Sequence, residues 1–148
     1  MKIGIRKNRI CRVAAFLLAL VTAFSFSACG KKKTSDAVLW ETALYQTDTE
    51  MGEGEKTLSV TVKAGEKSVT FTVHTNQKTV GSALQEQNLV TGEQGPYGLY
   101  VKSVNGIPAD YDADQTYWAF SIDGETAVTG VDSTEITEGT EYQLVRTK

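Results

Sequence analysis

Leu58-Ser-Val-Thr-Val-Lys-Ala-Gly-Glu-Lys-Ser-Val-Thr-Phe-Thr-Val-His74 sets the architecture of this chain. Leu58, Val60 and Val62 alternate with Ser59, Thr61 and Lys63; beyond Ala64-Gly65-Glu66, Val69, Phe71 and Val73 alternate with Ser68, Thr70, Thr72 and His74. A period of two in β-branched and aromatic residues, broken by a Gly-containing turn, predicts a hairpin of two half-buried strands. Downstream, Thr79 is placed to cap a helix of roughly ten residues that carries Val80, Ala83 and Leu84 on one face and ends near Asn88. Leu99 to Val104 then reads as a third strand closed by Asn105-Gly106, and Tyr117 to Ile122 as a fourth closed by Asp123-Gly124. Thr126 to Val128 is a short fifth and Tyr142 to Arg146 the last.

The order ββαβββ predicts an α+β fold, since one short amphipathic helix can shield only one side of a small sheet. A small β-grasp-like domain is expected, with a mixed sheet of about five strands and its other face wet or covered by a partner. Upstream, Val38 to Lys56 is too apolar at Val38, Leu39, Trp40, Leu44 and Tyr45 for a free linker and too polar from Thr47 onward for a core element. Residues 38–56 are therefore expected to be a short extended segment docking on the domain, within a unit spanning 38–148.

The N-terminus has a different character. Lys2, Arg6, Lys7, Arg9 and Arg12 precede the apolar run that starts at Val13, which is the layout of an export signal. From Val13 to Ala28 there are sixteen residues, fewer than the roughly 20 a membrane-crossing helix needs. Ser27 and Ala28 before Cys29 resemble the bacterial lipoprotein signals, which are cleaved just ahead of a lipid-modified cysteine; Phe26 stands where Leu is usual. The resemblance implies a helical signal peptide over 1–28, a lipidated tether over 29–37 and a place on the extracytoplasmic face of the cell membrane. Membrane lipid is then held through Cys29, with Lys31, Lys32 and Lys33 beside anionic headgroups.

The chain has 148 residues, 41% of them hydrophobic and 22% charged, a composition suited to one globular domain. Residues 29–148 hold ten Lys/Arg against eighteen Asp/Glu, a net charge of −8. That balance argues against a nucleic-acid partner, which needs clustered positive charge. Cys29 is the only thiol beyond the leader, so no disulfide can form within 29–148.

Tyr97-Gly98-Leu99-Tyr100, Tyr117-Trp118-Ala119-Phe120 with its Asp123-Gly124 turn, Gly130-Val131-Asp132-Ser133 and the Gly139 before Tyr142 follow one another at a spacing that resembles the transcobalamin-like C-terminal domain. That domain occurs alone in many lipoproteins of Gram-positive bacteria. The resemblance implies a β-grasp-like, ligand-binding fold and, in the eukaryotic transporters, one half of a corrinoid (cobalamin-type) site whose other half is a helical domain. A second protein carrying such a domain, or a transporter, is the partner implied. A cell-envelope adaptor that pairs through a strand edge is the alternative function.

Candidate ligand-binding residues follow from the strand pattern. Tyr117 alternates away from Phe120, where its ring could stack on a flat ligand, and Tyr97 and Tyr100 offer similar rings nearby, with ordinary sheet packing as the alternative role for each. Phe120 and Ile122 are expected in the core, with Trp118 nearer the strand's start and only partly covered. Val131, Asp132 and Ser133 lie in a loop that either presents polar groups to a ligand or bonds its own backbone. Asp110, Asp112 and Asp114 begin like a calcium loop, but Gln115 stands where the turn wants Gly and Ser121 where a bidentate Glu belongs, so a solvated connection is expected. His74, the single histidine, falls on a polar strand face, and neither a zinc-ligand cluster nor a phosphate-cradling Gly loop is present. No cofactor, no metal site and no catalysis are expected.

Overall fold

A computed structural model describes residues 35–148. The leader 1–28, Cys29 and the tether up to residue 34 lie outside the described residues. The chain begins with α1 (Ser35–Glu41), β1 (Thr49–Gly52), β2 (Lys56–Ala64), β3 (Lys67–Thr75) and α2 (Val80–Glu86). It continues through β4 (Val90–Gly95), β5 (Gly98–Val104), β6 (Ile107–Pro108) and the one-turn α3 (Tyr111–Asp114). β7 (Tyr117–Ile122), β8 (Glu125–Thr126), a 3-10 turn at Val131–Ser133 and β9 (Glu141–Thr147) complete it.

The alternating stretch forms the β2–β3 hairpin, paired antiparallel without a slip from Lys56↔Thr75 to Ala64↔Lys67. β9 lies parallel to β2 on its other side, Ser59↔Glu141 through Ala64↔Arg146. Parallel neighbours require a long crossover, and α2 lies within it. Thr79 caps α2 by accepting the Ser82 N–H at 3.2 Å, as the sequence predicts. The helix stops at Glu86, sooner than expected, and Asn88 takes a left-handed φ of 55°. Val80, Ala83 and Leu84 are buried together with Leu58, Val60, Val62, Val69, Phe71, Val73, Tyr142 and Leu144.

The fold is mixed α+β, but the simple five-strand, one-helix β-grasp expected from the pattern is corrected. One mixed sheet has six strands in the order β1-β3-β2-β9-β7-β8, and a second has three, β4-β5-β6. Two polar stretches account for the difference. Thr91-Gly-Glu-Gln-Gly95 lacks alternation, yet most of β4 pairs antiparallel with β5 and so draws the expected third strand out of the main sheet. Thr49–Gly52 is equally polar and pairs parallel with the edge of β3, where backbone hydrogen bonds rather than side-chain burial hold it. Asp48 adds a side-chain acceptor for the Thr70 N–H at 2.8 Å.

Residues 38–56 are thus not uniformly extended: Val38–Glu41 is helical and Thr49–Gly52 is an edge strand. Trp40 is buried, and its indole N–H donates to the Ala64 carbonyl at 2.9 Å. The Lys67 ammonium lies 4.7 Å from the ring centroid. Sixty residues on, the wholly buried Asn105 answers the Tyr45 backbone in both directions, accepting its N–H at 2.9 Å and donating to its carbonyl at 2.8 Å. Trp40→Ala is therefore expected to lower the unfolding free energy by about 3–5 kcal/mol. Urea titration of the two proteins checks this, and a loss below about 1 kcal/mol would show the segment to be only loosely docked.

Candidate functional site

β5 belongs to the second sheet but packs against β7 of the first. Where it crosses, a cavity of about 130 Å³ is lined by Leu99, Tyr100, Tyr117, Trp118, Phe120 and Val131, among others. Its floor is β7, held against β9 in the register Tyr117↔Thr147 to Ile122↔Tyr142. Its rim comes from Tyr100 and Tyr117, residues that remain 44% and 38% exposed.

Asp132 fixes the geometry of this corner. Its Oδ2 accepts the Leu99 N–H at 3.0 Å, so the start of β5 is tied to the 3-10 turn. The same residue crowds three backbones. A Cβ at Gly98, where φ is +103°, would lie 2.7 Å from Oδ1; one at Gly81 would lie 2.7 Å from the Asp132 nitrogen; one at Gly130 would lie 3.1 Å from Oδ1. Only glycine fits the first two approaches without a backbone shift. Asp132 Oδ1 and Trp118 Nε1 are buried and have no hydrogen-bond partner among the described residues. Such atoms are uncommon in folded proteins because each forfeits its hydration.

Of the residues singled out in the sequence, Tyr117, Trp118 and Val131 line this cavity; Asp132 does not line it, and lies behind Gly130, which does. Ser133 is exposed, and its N–H donates to the Gly130 carbonyl at 3.2 Å. Tyr97 is not in the lining; the residue is 95% exposed at the β4–β5 turn. The burial expected along β7 is reversed, since Trp118 is only 7% exposed while Phe120 and Ile122 are half-buried. The crossing of β5 over the start of β7 is the cause, and alternation within one strand carries no trace of it. Tyr117 likewise shares the cavity with Phe120, although alternation assigns the two to opposite faces. Tyr100, the ring weighed beside Tyr97, does line the cavity, as does Leu99, which was not a ligand-binding candidate; the Tyr97-Gly98-Leu99-Tyr100 run was its available signal.

The approach to β7 is braced by the acidic segment. Asp110 caps α3, its Oδ1 accepting from the N–H groups of Asp112 and Ala113. Asp114 accepts from the Thr116 hydroxyl and backbone N–H, and from Arg146 at 2.8 Å. These bonds, the Thr116 hydroxyl foremost, hold the Asp114 carboxyl below its usual range. Glu86 is lowered in the same way by Gln77 and then Thr75. His74 bridges strands, with Nδ1 3.1 Å from Thr57 Oγ1 and Nε2 2.7 Å from Glu50 Oε1. Among the described residues, no group of three or more His, Cys, Asp and Glu side chains is arranged to hold a metal ion.

A larger trough of about 820 Å³ lies elsewhere, along Trp40, Gln46 and Lys67. The Trp40 N–H is satisfied by Ala64, and Lys67 donates to Gln46 Oε1 at 2.7 Å. The smaller cavity is the better candidate, because it alone of the two contains an orphaned buried donor.

Residues 77–143, which span α2, the second sheet, β7 and the Asp132 corner, match the model of a domain of unknown function, DUF4430. The crystal structure of a candidate metal-binding protein from Ruminococcus gnavus is similar over 64% of this chain and 98% of that one, at 35% identity and a TM-score of 0.60. The chain belongs to that protein's family. Haptocorrin, solved in complex with Cbi, is similar over 66% of this chain at 20% identity and a TM-score of 0.51, which shows a shared fold. The likeness covers 27% of haptocorrin's own length. No curated protein matches the chain.

A carboxyl whose pKa is lowered by folding contributes stability that is present above its unfolded-state value and is lost as pH falls through the folded one. Asp114→Asn and Glu86→Gln are accordingly expected to flatten the fall in stability on the acid side, below about pH 4. Urea midpoints measured from pH 6 to pH 2 check this; parallel curves for variant and parent would refute it.

Proposed function

We propose that this chain is a non-catalytic binding module for a small molecule of the corrinoid class, held at the extracytoplasmic face of the membrane by a lipid on Cys29. The observation that carries the reading is the buried Trp118 N–H without a partner among the described residues, set in a cavity rimmed by two exposed tyrosine rings. Tyrosines so placed can stack on a flat ligand, while a desolvated donor fixes its orientation. The haptocorrin likeness supports the corrinoid class through the fold.

Size shapes the proposal. Sites that enclose a whole ligand run from about 300 to 1,000 Å³, and this one has about 130 Å³. The module therefore grips one edge of its ligand, and a second protein, such as a transporter or a helical partner, covers the rest. Tethering raises the local concentration at the membrane and offsets the weakness of a one-sided site.

Cobinamide added to the full chain is expected to change the absorbance of the corrin, with Tyr117→Ala weakening the apparent affinity by roughly threefold to tenfold, the worth of one aromatic stack. No spectral change at millimolar cobinamide would remove the corrinoid class. Cys29→Ser should move the protein from the membrane fraction to the soluble one in a bacterial host; unchanged fractionation would remove the lipid anchor.

A further inference from the structure

Three large aliphatic residues are left exposed among the described residues: Val38, Leu44 and Val128. Two of them stand close together in the chain, on α1 and in the turn that follows it, and the partly exposed Tyr45 comes next. The backbone that carries them is fixed. Trp40 donates to the Ala64 carbonyl, the Leu44 N–H donates to the Asn105 carbonyl at 2.9 Å, and the Tyr45 ring meets Phe71 edge-on at 5.7 Å. Val38 and Leu44 are thus held out at 49% and 57% exposure by a docked segment rather than by a loose end. Single exposed apolar residues are ordinary, but a fixed pair beside an anchor calls for a cover.

Their place in the chain says what that cover is. Residues 30–34 alone separate Cys29 from Ser35. However that link is arranged, covalent geometry lets it span about 20 Å at most. Residues 29–41 hold three lysines against two acids, net +1, whereas residues 42–148 carry net −9. An anionic leaflet therefore draws the first stretch and repels the rest of the domain, within a range set by the Debye length.

From this we infer that α1 and the turn to Tyr45 form a second membrane contact, lying on the lipid surface that holds Cys29. Val38 and Leu44 enter the boundary between headgroups and acyl chains, as the apolar side chains of interfacial helices do, and Tyr45 takes the level of the headgroups. The inference rests on the proposed anchor and deepens it: a lipid alone leaves the domain free to turn, while a second contact fixes its orientation. That orientation reaches the candidate site. Trp40 is bonded to Ala64, and the row Ala64, Arg146, Trp118 crosses the sheet from β2 to β7. Two strand spacings, about 10 Å, separate the ends of that row. The cavity is then held near the bilayer, within reach of a membrane-embedded partner.

Cys29 is the only thiol beyond the leader, so a cysteine introduced into the lipid-bearing chain takes a label at one place. Val38→Cys and Leu44→Cys each receive an environment-sensitive fluorophore. Glu138→Cys is the control, because Glu138 is exposed just before β9 begins, at the opposite end of the sheet from Arg146. The chain, produced in a bacterial host, is reconstituted into vesicles of equal parts phosphatidylcholine and phosphatidylglycerol. Labels at 38 and 44 are expected to shift to the blue and to lose most of their emission to nitroxide-bearing lipid, and the label at 138 to do neither. Leu44→Asp should abolish the response at 38 without changing the circular dichroism of the fold. Silent labels at 38 and 44 on vesicle-bound protein would overturn the docking and leave the anchor standing. Equal responses at all three positions, as for unspecific adsorption, would overturn it as well. So would a blue shift that grows with protein concentration before vesicles are added, as for a second copy covering this face. A mass without the lipid would end the anchor and this inference with it.

Discussion

One carboxylate organises the corner of the molecule beside the candidate site. Asp132 holds the Leu99 N–H and presses on Gly81, Gly98 and Gly130, so α2, the start of β5 and the 3-10 turn meet at a single residue. Those three segments lie 17 to 51 positions apart along the chain, and nothing local brings them together. With the corner fixed, β5 must pass over β7, and the cavity is what remains between them. Because Oδ2 is spent on the backbone and Oδ1 is not, the residue that builds the corner also leaves it chemically unfinished.

The rest of the fold delivers β7 to that corner. Register places Ala64 of β2 beside Arg146 of β9, and Arg146 beside Trp118 of β7, so these three form one row across the sheet. Trp40 donates to the carbonyl of the first; Arg146 reaches from the second to Asp114 and to the Pro108 carbonyl at 2.8 Å. The end of the sheet that anchors α1 is therefore the end at which the candidate site opens. Packing and hydrogen bonds from both termini of the domain converge there, which keeps an unsatisfied donor in place against its tendency to seek water.

Much of this was legible in the sequence, and the illegible parts share a cause. The β2–β3 hairpin, the Thr79 cap, β7 and the Asp123-Gly124 turn are local matters of period, capping and positive φ, and they stand where the residues put them. β1 and β4 could not be read, because an exposed edge strand is paid for by backbone pairing and leaves its side chains polar. At the site, alternation placed Tyr117 and Trp118 on one strand but misjudged the burial of Trp118, Phe120 and Ile122, since the cover comes from β5 in another sheet. Asp132 was visible as a loop residue; that its partner is Leu99, rather than its own backbone, depends on a contact across 33 positions.

Charge adds an argument that local geometry alone does not supply. Residues 29–148 carry a net −8, so the field around the domain disfavours anionic molecules before they touch it. The rim of the cavity, by contrast, is two tyrosines, Tyr100 and Tyr117, so contact there adds stacking and apolar burial rather than charge. The two act over different ranges: salt screens the first beyond about 10 Å and leaves the second nearly untouched. A preference that came from the acidic surface should consequently fade as ionic strength rises, whereas one that came from the cavity should persist, and that difference separates a built site from a charged one.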